Sequence, residues 1–500
     1  MTEDRPLRVL MMAAEIVPYV KTGQVADVIS GLARALRRLG HDVRVAIPRY
    51  SHIDIERFGL SPVLPAFPVP MNRHHDSVTV YYAEEPAGIP VYMMDNPRYF
   101  GQRMAALHGQ DPDPFIFYPR ATLEMIRQPG FGWVPDVIHC HDWQTALVPN
   151  WLSTLYRDDP LLKDTATVLT IHRLSHQGIF GYRVLEVAGI REFGFLYHSG
   201  IADLGELVDL MGRGIYYADA ITTVSQSYAK EILTPEYGER LDPLLRDRRD
   251  ALFGILNGID TELYNPATDP HIPARFDADS LDKRAANKPA LRQAFGLNVA
   301  EVPLIGMVSR LVDAKGLDLL TAMVEPIMAH LDLQLAVVGV GEPKYHSMLQ
   351  EFANRYAGRI GVRLTFDDKL ERLVYAGSDM FLMPSRLEPC GLGQMLAMRY
   401  GSVPIVRATG GLADTVDNYD PSSGEGTGFS FVAYEPIAMY TAIVRAVEVY
   451  HMHERWRALQ RQCMQRDFSW DASARRYITV YHFARQAHRE HPRYETGWVG

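Results

Sequence analysis

Hydrophobic residues in this chain occur either as short continuous runs or as helically spaced stripes. Residues 8–14 form a largely apolar run typical of a buried strand, and residues 28–39 place apolar side chains on one helical face. A second apolar run follows at residues 42–47, after Gly40, which predicts the end of the helix. Strand, helix and strand in this order predict a βαβ unit and therefore a parallel sheet.

The same pattern recurs in two sets along the chain. The first set contains further predicted strands at residues 136–140, 167–171 and 220–224. The second set contains predicted strands at residues 303–308, 334–338, 361–365, 380–383 and 403–406. Helical segments lie between them, at residues 317–329 and 345–356. We therefore expect an α/β chain with two Rossmann-like, doubly wound domains in series and a cleft between them.

These patterns also predict where the domains end. We expect an N-terminal domain at residues 1–253, a C-terminal domain at 254–470, and a last segment at 471–500. The last segment is predicted to be a helix that packs back on the N-terminal domain, because no strand follows it. Residues 241–300 are rich in Pro, Asp and Asn and predict a linker with excursions.

Composition narrows the classes of protein and partner. The chain has 500 residues, with 51 Lys and Arg against 60 Asp and Glu, so its net charge of −9 gives no global attraction for nucleic acid or anionic lipid. A run of about 18 apolar residues, as a membrane span needs, does not occur. The three cysteines, Cys140, Cys390 and Cys463, form no CxxC pair and predict a reducing, cytoplasmic environment without structural zinc.

Cationic side chains stand where predicted strands lead into helices, the edge at which parallel sheets bind ligands. Lys21 and Gly23 precede the first predicted helix, whose free N–H groups suit an oxyanion. Arg310 and Lys315 flank another strand–helix turn and together are able to clamp a diphosphate. Solvated surface charges remain an equally weighted alternative for both pairs.

Histidines follow two of the predicted strands. His139 and His141 alternate along one strand and therefore face the same way, with Cys140 between them, which raises metal binding as one interpretation. A second ligand pair with zinc spacing does not follow, so packing combined with sugar contact by the adjacent Asp142 is favoured. His172 leaves another strand end, where an isolated histidine is more often structural.

Carboxylate and glycine residues mark the later strand ends. Glu388 lies beside a glycine-bearing turn between a strand and a helix, where it is able to bind sugar hydroxyls and oppose positive charge. Thr409, Gly410 and Gly411 repeat the order strand, glycines, helix. The GxG turn at residues 338–342 is weak evidence for any ligand.

Taken together, these segments resemble bacterial glycogen synthases and plant starch synthases. The resemblance extends from about residue 8 to residue 477, and its motifs occur in the order of the family. They are KTG and ADV (21–28), HDWQTALVP (141–149), TIH and QGIFG (170–181), GIYYADAITTVS (214–225), NGIDTELYNP (257–266), SRL and KGLDLL (309–320), PSRLEPCGL (384–392) and TGGLADTV (409–416).

The resemblance implies a fold, a reaction and its partners. The fold is GT-B, with an acceptor-side N-terminal domain and a nucleotide-sugar-side C-terminal domain. The reaction transfers glucose from ADP-glucose, or UDP-glucose, to the 4-hydroxyl at the nonreducing end of an α-1,4-glucan with retention of configuration. The family uses no cofactor or metal, and no nucleic-acid or membrane partner is implied. A paralogue with another acceptor and a noncatalytic glucan-binding protein remain open alternatives.

The resemblance also assigns roles to residues. It implies catalytic roles for Lys21, His172, Arg310, Lys315 and Glu388. It implies substrate binding by Gly23, Asp142, Asn257, Phe366, Cys390, Gly391, Leu392, Thr409, Gly410 and Gly411. Within these sets Arg310 and Lys315 neutralise the departing diphosphate, Glu388 lies near the positively charged sugar ring, and Phe366 meets the adenine.

Four positions depart from the family pattern. Gln24, Arg173, Gly393 and Ala408 stand where the family usually has Gly, Asn, Thr and Arg. A glycine-only backbone at Gln24 would be strained by about 1–3 kcal/mol. We therefore expect a shifted loop whose Gln24 amide projects toward the glucosyl site, with a solvent-facing side chain as the alternative. These departures bear on acceptor preference and turnover more than on fold.

Overall fold

The computed structural model describes residues 5–72, 74–101, 111–190 and 207–490. Contacts divide the described residues into two compact units. The first unit takes its residues from Met1–Val224, Ala229–Gly258 and Trp470–Gly500, and the second from Ser225–Tyr228 and Ile259–Ser469. The first unit runs to Gly258 rather than to residue 253 because Ile255 N still donates to Thr223 O of the first sheet, at 2.8 Å.

The strands are mostly short and buried, as the apolar runs predict. They are β1 (Arg8–Met12), β2 (Asp42–Pro48), β3 (Ser61–Pro62), β4 (Phe67–Met71), β5 (His74–Glu84), β6 (Pro90–Asp95), β7 (Val137–His141), β8 (Ala166–Ile171), β9 (Ile179–Gly181), β10 (Leu207–Asp209), β11 (Ala220–Thr223), β12 (Leu252–Gly254), β13 (Leu304–Val308), β14 (Gln334–Val338), β15 (Ile360–Arg363), β16 (Met380–Met383), β17 (Val403–Arg407) and β18 (Phe429–Phe431).

Helices separate most of the parallel strands. They are α1 (Val25–Arg38), α2 (Pro97–Phe100), α3 (Asp113–Arg127), α4 (Leu147–Ser153), α5 (Arg183–Val187), α6 (Leu210–Tyr217), α7 (Gln226–Glu231), α8 (Asp242–Asp247), α9 (Leu281–Arg284), α10 (Asn287–Phe295), α11 (Leu317–His330), α12 (Pro343–Arg355), α13 (Asp368–Gly377), α14 (Gly393–Arg399), α15 (Gly410–Thr415), α16 (Pro436–Tyr450), α17 (His453–Met464) and α18 (Trp470–Glu490). Within the described residues, none of these helices is long and apolar enough to cross a membrane.

The main sheet of the first unit is parallel at its centre. Its strand order is β12-β11-β8-β7-β1-β2-β6-β5-β3, with β4 paired to β5. Strands β12 to β6 run parallel, and the pairings of β5 are antiparallel. Because β1, β7 and β8 are neighbours and parallel, the residues that follow their carboxyl ends meet at one edge of the sheet.

The sheet of the second unit is parallel throughout its described strands. Its order is β15-β14-β13-β16-β17-β18. The switch in strand order lies at β13, which pairs with β14 on one side and β16 on the other. The prediction of two α/β, Rossmann-like domains with parallel sheets is confirmed.

The prediction of a linker over residues 241–300 is wrong. Strand β12 completes an edge of the first sheet by pairing with β11, and helix α10 packs on α13 of the second unit. A Cβ on Gly377 would lie 2.8 Å from Leu291 Cβ, so the two helices approach at a glycine. Tertiary packing overrides the Pro- and Asp-rich composition here.

Helix α18 packs on the first unit. The Trp470 ring lies so close to α1 that a Cβ on Gly31 would be 2.1 Å from Trp470 Nε1. Ser473 Oγ donates to Leu256 O at 2.6 Å, and the Tyr481 hydroxyl lies 2.9 Å from His139 Nδ1 of β7. Helix α18 therefore contacts α1, the segment that follows β12, and strand β7.

Candidate active site

The loop of residues 21–24 leads directly into helix α1. Lys21 Nζ lies 2.9 Å from the carboxylate of Asp27, and both side chains are exposed. Gln24 is the N-cap residue, with φ −77° and ψ −19°, and its side chain is exposed. This right-handed conformation is open to any residue, so the strain considered for Gln24 does not arise. Its influence on the acceptor stays a prediction.

Glu15, which the sequence patterns did not single out, anchors this loop. Its Oε2 accepts hydrogen bonds from Thr22 N at 2.6 Å, Thr22 Oγ1 at 2.7 Å and Gly23 N at 3.2 Å. The Glu15 residue is only 4% exposed, and a buried carboxylate needs such donors. The N–H groups of Thr22 and Gly23 are thus occupied by a carboxylate of the same chain. The sequence does carry a signal for Glu15, a charge just after the apolar run of β1.

Asp142 follows β7 in a conformation that favours glycine. Its φ is 57° and its ψ is −175°, a region that costs a non-glycine residue about 1–3 kcal/mol. The carboxylate Oδ1 accepts the backbone N–H of His172 at 2.9 Å, and burial raises the pKa of Asp142 to about 7. Strain of this kind concentrates at functional positions, which is consistent with the predicted sugar contact.

The side chains of His139, His141 and His172 lie side by side. The His139 and His141 ring centroids are 4.0 Å apart, and His141 Nδ1 lies 3.0 Å from His172 Nε2. Burial lowers the pKa of His172 to about 4 and that of His139 to about 3, and it holds the pKa of His141 well below its usual value. All three rings are therefore neutral near pH 7. The predicted shared orientation of His139 and His141 is confirmed.

These histidines have hydrogen-bond partners within the first unit. His139 Nε2 lies 2.6 Å from Thr170 Oγ1, and its Nδ1 faces the Tyr481 hydroxyl. Across the described ranges, no three His, Cys, Asp or Glu side chains are grouped so that they could hold a metal ion. These contacts show the packing of the His139 ring, and the sugar contact by Asp142 stays a prediction.

Asn257 lies three residues beyond β12, in the first unit. It is buried, and its Oδ1 has no hydrogen-bond partner among the described residues. A buried amide oxygen without a donor is uncommon and is satisfied by a ligand or by water. This orphaned acceptor fits the predicted role of Asn257 in substrate binding.

Lys315, which is partly buried, and Glu388, which is buried, form an ion pair in the second unit. Lys315 Nζ lies 2.5 Å from Glu388 Oε2, and Ser385 Oγ donates to the same oxygen at 3.0 Å. The turn before α11 reaches the loop after β16 because Gly316 has φ 72° and a Cβ there would be 2.0 Å from Pro384 O. Only glycine permits this approach. The two loops that carry Lys315 and Glu388 are thereby held together.

Two other predicted residues of this unit are exposed. Arg310 follows β13 by two residues and its side chain is exposed. Phe366 follows β15 and is 64% exposed, directly before Asp367, whose side chain accepts from Lys369 N and Leu370 N to cap α13. An aromatic ring held open to solvent beside a fixed helix end offers a surface on which a base is able to stack.

Hydrogen bonds from the side chain of Gln394, in helix α14, hold the loop of residues 388–392. Gln394 Nε2 donates to Cys390 O at 3.1 Å and to Gly391 O at 3.0 Å. Gly391 has φ 71°, and Leu392 is the N-cap of α14. With their carbonyl groups turned onto Gln394, Cys390 and Gly391 are held in one backbone conformation.

The predicted glycines Gly410 and Gly411 have a packing role. A Cβ on Gly410 would lie 2.1 Å from Glu388 O, and one on Gly411 would lie 1.9 Å from Cys390 O. Gly411 N also donates to Glu388 O at 3.1 Å. The two glycines, with Thr409 as the N-cap of α15, therefore support the loop that carries Glu388, whatever ligand they bind.

With this geometry in place, comparisons with known proteins decide the family. Residues 8–247 match the family model for the starch synthase catalytic domain, and residues 289–462 match that for glycosyl transferases group 1. Glycogen synthase of Moorella thermoacetica is 44% identical over 489 residues, 97% of this chain and 98% of that protein. The chain belongs to the glycogen and starch synthase family. Glycogen synthase of Thermotoga maritima is 41% identical over 482 residues, 95% of this chain and 98% of that protein.

A solved structure of the family agrees. The catalytic domain of starch synthase IV from Arabidopsis thaliana, bound to ADP and acarbose, has a TM-score of 0.85 and 33% identity, covering 96% of this chain and 100% of that chain. A sucrose-phosphate synthase from Thermosynechococcus elongatus, at 17% identity and a TM-score of 0.58 over 95% of this chain and 98% of that chain, shares the fold alone. The resemblance to glycogen and starch synthases and the GT-B fold class are confirmed.

Two clusters, one in each unit, contain four of the residues expected of a glycogen or starch synthase: Asp142 and His172 in the first, and Lys315 and Glu388 in the second. The first-unit cluster is Glu15, His141, Asp142 and His172, joined by hydrogen bonds and by the influence of the Glu15 charge on the pKa values of Asp142 and His172. The second-unit cluster is Lys315, Ser385 and Glu388. Sequence reasoning did not identify Glu15, His141 or Ser385 as site residues.

Proposed function

We propose that this chain transfers glucose from ADP-glucose to the 4-hydroxyl at the nonreducing end of an α-1,4-glucan, with retention of configuration. The observation that carries the proposal is the pair of the partly buried Lys315 and the buried Glu388 at the carboxyl edge of the second sheet. It holds a cation suited to a diphosphate next to a carboxylate suited to a positively charged sugar ring. Relatives named glycogen synthases and a starch synthase bound to ADP support this choice of substrates.

In this proposal the second unit binds the nucleotide sugar. Arg310 and Lys315 neutralise the diphosphate as the bond from C1 to the phosphate oxygen breaks. Glu388 opposes the positive charge that develops on the ring, and Phe366 stacks on adenine. The backbone of residues 390–392 and the segment 409–411 contact the phosphate and the glucose.

In the same proposal the first unit binds sugar hydroxyls. Asp142 and His172 contact the glucosyl group or the acceptor. Asn257 accepts a hydrogen bond from a sugar hydroxyl through its buried Oδ1, and Lys21 and Gly23 approach the donor oxygens. The new bond forms from the acceptor O4 to C1 on the face that the diphosphate leaves, and the acceptor proton passes to the departing phosphate oxygen. A good leaving group of this kind needs no strong general acid.

The proposal also covers metal use and cell compartment. The reaction proceeds without a metal, because Arg310 and Lys315 supply the positive charge that a metal would bring. We infer a reducing cytoplasmic compartment, since Cys140, Cys390 and Cys463 are buried and form no disulfide.

A donor and acceptor assay tests the proposal. Purified protein is incubated with ADP-[¹⁴C]glucose or UDP-[¹⁴C]glucose, with and without a maltooligosaccharide, in buffer with or without EDTA. We expect glucan lengthened from ADP-glucose, with an α linkage by proton NMR and no loss of rate in EDTA. Glucan binding without transfer would indicate a noncatalytic protein, and transfer to another acceptor only would indicate a paralogue; either result overturns the proposal.

A further inference from the structure

The His141–His172 contact joins two imidazoles, and its direction decides which proton His172 presents. His141 Nδ1 lies 3.0 Å from His172 Nε2, with the ring planes 25° apart. His141 is fully buried, while His172 is partly exposed. One of the two facing nitrogens must carry the hydrogen, and a neutral imidazole has one N–H and one bare nitrogen. The choice at this contact therefore fixes the state of all four ring nitrogens.

Both rings are neutral near pH 7. Burial lowers the pKa of each, and the neighbouring His139 ring at 4.0 Å lowers that of His141 further. The Glu15 charge acts in the opposite direction on His172, and its carboxylate is already held by the loop of residues 21–24. Asp142 accepts the His172 backbone N–H rather than its ring, and the charge of His176 acts on Asp142.

The far side of the His141 ring decides between the two directions. His141 Nε2 is buried and has no hydrogen-bond partner among the described residues. If His172 donated, His141 Nε2 would carry a hydrogen and leave a buried donor unpaired. If His141 donates, its Nε2 is a bare nitrogen, and an under-satisfied buried acceptor is tolerated better than an orphaned N–H.

We propose that His141 donates its Nδ1–H to His172 Nε2 and so fixes His172 as a hydrogen-bond donor through Nδ1. His141 is then a positioning residue, and the partly exposed His172 offers an N–H rather than a lone pair to its ligand. The sugar part of this assignment rests on the proposed function: His172 donates to an oxygen of the transferred glucose and does not act as a base.

The packing behind His141 holds its ring in place for this role. The His139 ring packs against it at a tilt of 38°, and His139 is held by Thr170 Oγ1 and the Tyr481 hydroxyl. Thr170 Oγ1 in turn lies 2.5 Å from Thr222 Oγ1. Strands β7, β8 and β11 and helix α18 thus support one ring orientation at His141.

Nitrogen NMR tests the hydrogen-bond direction without any substrate. The ring nitrogens of histidine are labelled with ¹⁵N in the full chain, and the His172 signals are assigned by their loss in His172→Gln. We expect His172 to carry its proton on Nδ1 and to keep it there between about pH 6 and pH 8. A proton on His172 Nε2, or a doubly protonated ring in this range, would overturn the proposal.

A matched pair of variants tests the consequence for catalysis. His141→Asn keeps a side-chain N–H near the position of Nδ1. In His141→Leu the new side chain has almost the same volume as histidine and carries no donor. We expect kcat to fall about tenfold or more in His141→Leu, with KM for ADP-glucose nearly unchanged, and to be largely restored in His141→Asn. Equal kcat values for the two variants would contradict the assignment.

Tyr481→Phe is the control for a general disturbance of the packing between the His139 and His141 rings. It removes the hydroxyl that contacts His139, one ring away from His141. We expect it to lower stability while leaving the His172 tautomer and kcat near those of the unchanged protein. A fall in kcat equal to that of His141→Leu would assign His141 a structural role only. If the unchanged protein shows no transfer, the proposed function fails, whereas the NMR measurement still decides the tautomer.

Discussion

Lys315 Nζ lies 2.5 Å from Glu388 Oε2, although 73 residues separate them in the sequence. The contact exists because β13 and β16 are parallel neighbours, so the loops after their carboxyl ends meet. Without ligand, the carboxylate neutralises the cation. A nucleotide sugar that draws Lys315 onto its diphosphate would release one partner of Glu388 while Ser385 keeps the other, so donor binding and the placement of Glu388 are physically coupled.

Arg310→Ala and Lys315→Ala should differ in stability while sharing a loss of activity. Each removes positive charge that, in the proposed function, stabilises the departing diphosphate, so kcat should fall about a hundredfold or more. Lys315→Ala also leaves Glu388 buried without its cation, so its free energy of unfolding should fall by about 3 kcal/mol. Arg310 is exposed, so its removal should hardly change stability. Steady-state kinetics and urea unfolding measure both effects.

Arg355→Ala is the matched control, because Arg355 is an exposed arginine of the same unit that pairs only with surface glutamates. Arg355→Ala should change neither kcat nor the free energy of unfolding appreciably. Near-normal turnover in Arg310→Ala or Lys315→Ala would show that the diphosphate assignment is wrong.

Phe366→Ala should weaken binding of the nucleotide more than it slows transfer. An exposed ring that stacks on a base contributes about 1–3 kcal/mol, so KM for ADP-glucose should rise about tenfold or more with kcat within a small factor. Val432→Ala, at another exposed apolar residue of this unit, should leave KM unchanged. Equal effects of the two substitutions would remove Phe366 from the nucleotide site.

Glu15→Gln should loosen the loop of residues 21–24. The substitution weakens three hydrogen bonds by removing the acceptor charge, so the free energy of unfolding should fall by about 1–3 kcal/mol and kcat should fall as Lys21 loses its fixed position. Glu84→Gln removes an exposed carboxylate that accepts from Tyr82 and serves as the control. An unchanged kcat and an unchanged free energy of unfolding in Glu15→Gln would show that the hydrogen bonds from Thr22 and Gly23 to Glu15 are dispensable.

Gln24→Gly should barely affect stability, because the Gln24 side chain makes no capping hydrogen bond to α1 and no strain is relieved at φ −77°. We still expect a changed preference for acceptor length, or a higher turnover, with little change in nucleotide affinity, if the exposed amide reaches the sugars. Kinetics on short and long glucans measure this. Identical values for both proteins would mean that Gln24 faces solvent only.

Asp142→Asn should change how stability depends on pH. Burial raises the pKa of Asp142 to about 7 in the folded chain, against about 4 when unfolded, so the folded state binds the extra proton between these values. This carboxyl therefore lowers stability as pH rises from about 4 to about 7. Asparagine has no such titration, so the variant should gain stability relative to the unchanged protein over this range.

Urea unfolding at about pH 5 and about pH 7 measures that gain. Asp420→Asn is the control, because hydrogen bonds from Ser422 hold the pKa of Asp420 below its usual value, so this carboxylate is ionised in both states at these two pH values and the stability difference should hardly change between them. A stability difference for Asp142→Asn that stays constant with pH would contradict the raised pKa.

The sequence by itself determined most of the parallel architecture and the motifs of the family. Buried parallel strands are short, nearly continuous apolar runs, so β14 and β16 were predicted with their observed bounds. Strand β5, whose pairings are antiparallel, was not predicted, since its mixed polar and apolar pattern gives a weaker signal. The same local signals placed Lys315, Glu388, Asp142 and His172 at strand ends.

Only the tertiary structure decided how those residues act on one another. The Lys315–Glu388 pair and the His141–His172 hydrogen bond each join residues from different strand ends, and no local pattern encodes such a distance. The strain of Asp142 and the approach of Gly410 to Glu388 O likewise depend on neighbouring loops. Composition predicted a linker at residues 241–300, whereas packing against the sheets made it β12 and α10, because burial of apolar surface outweighs local propensity.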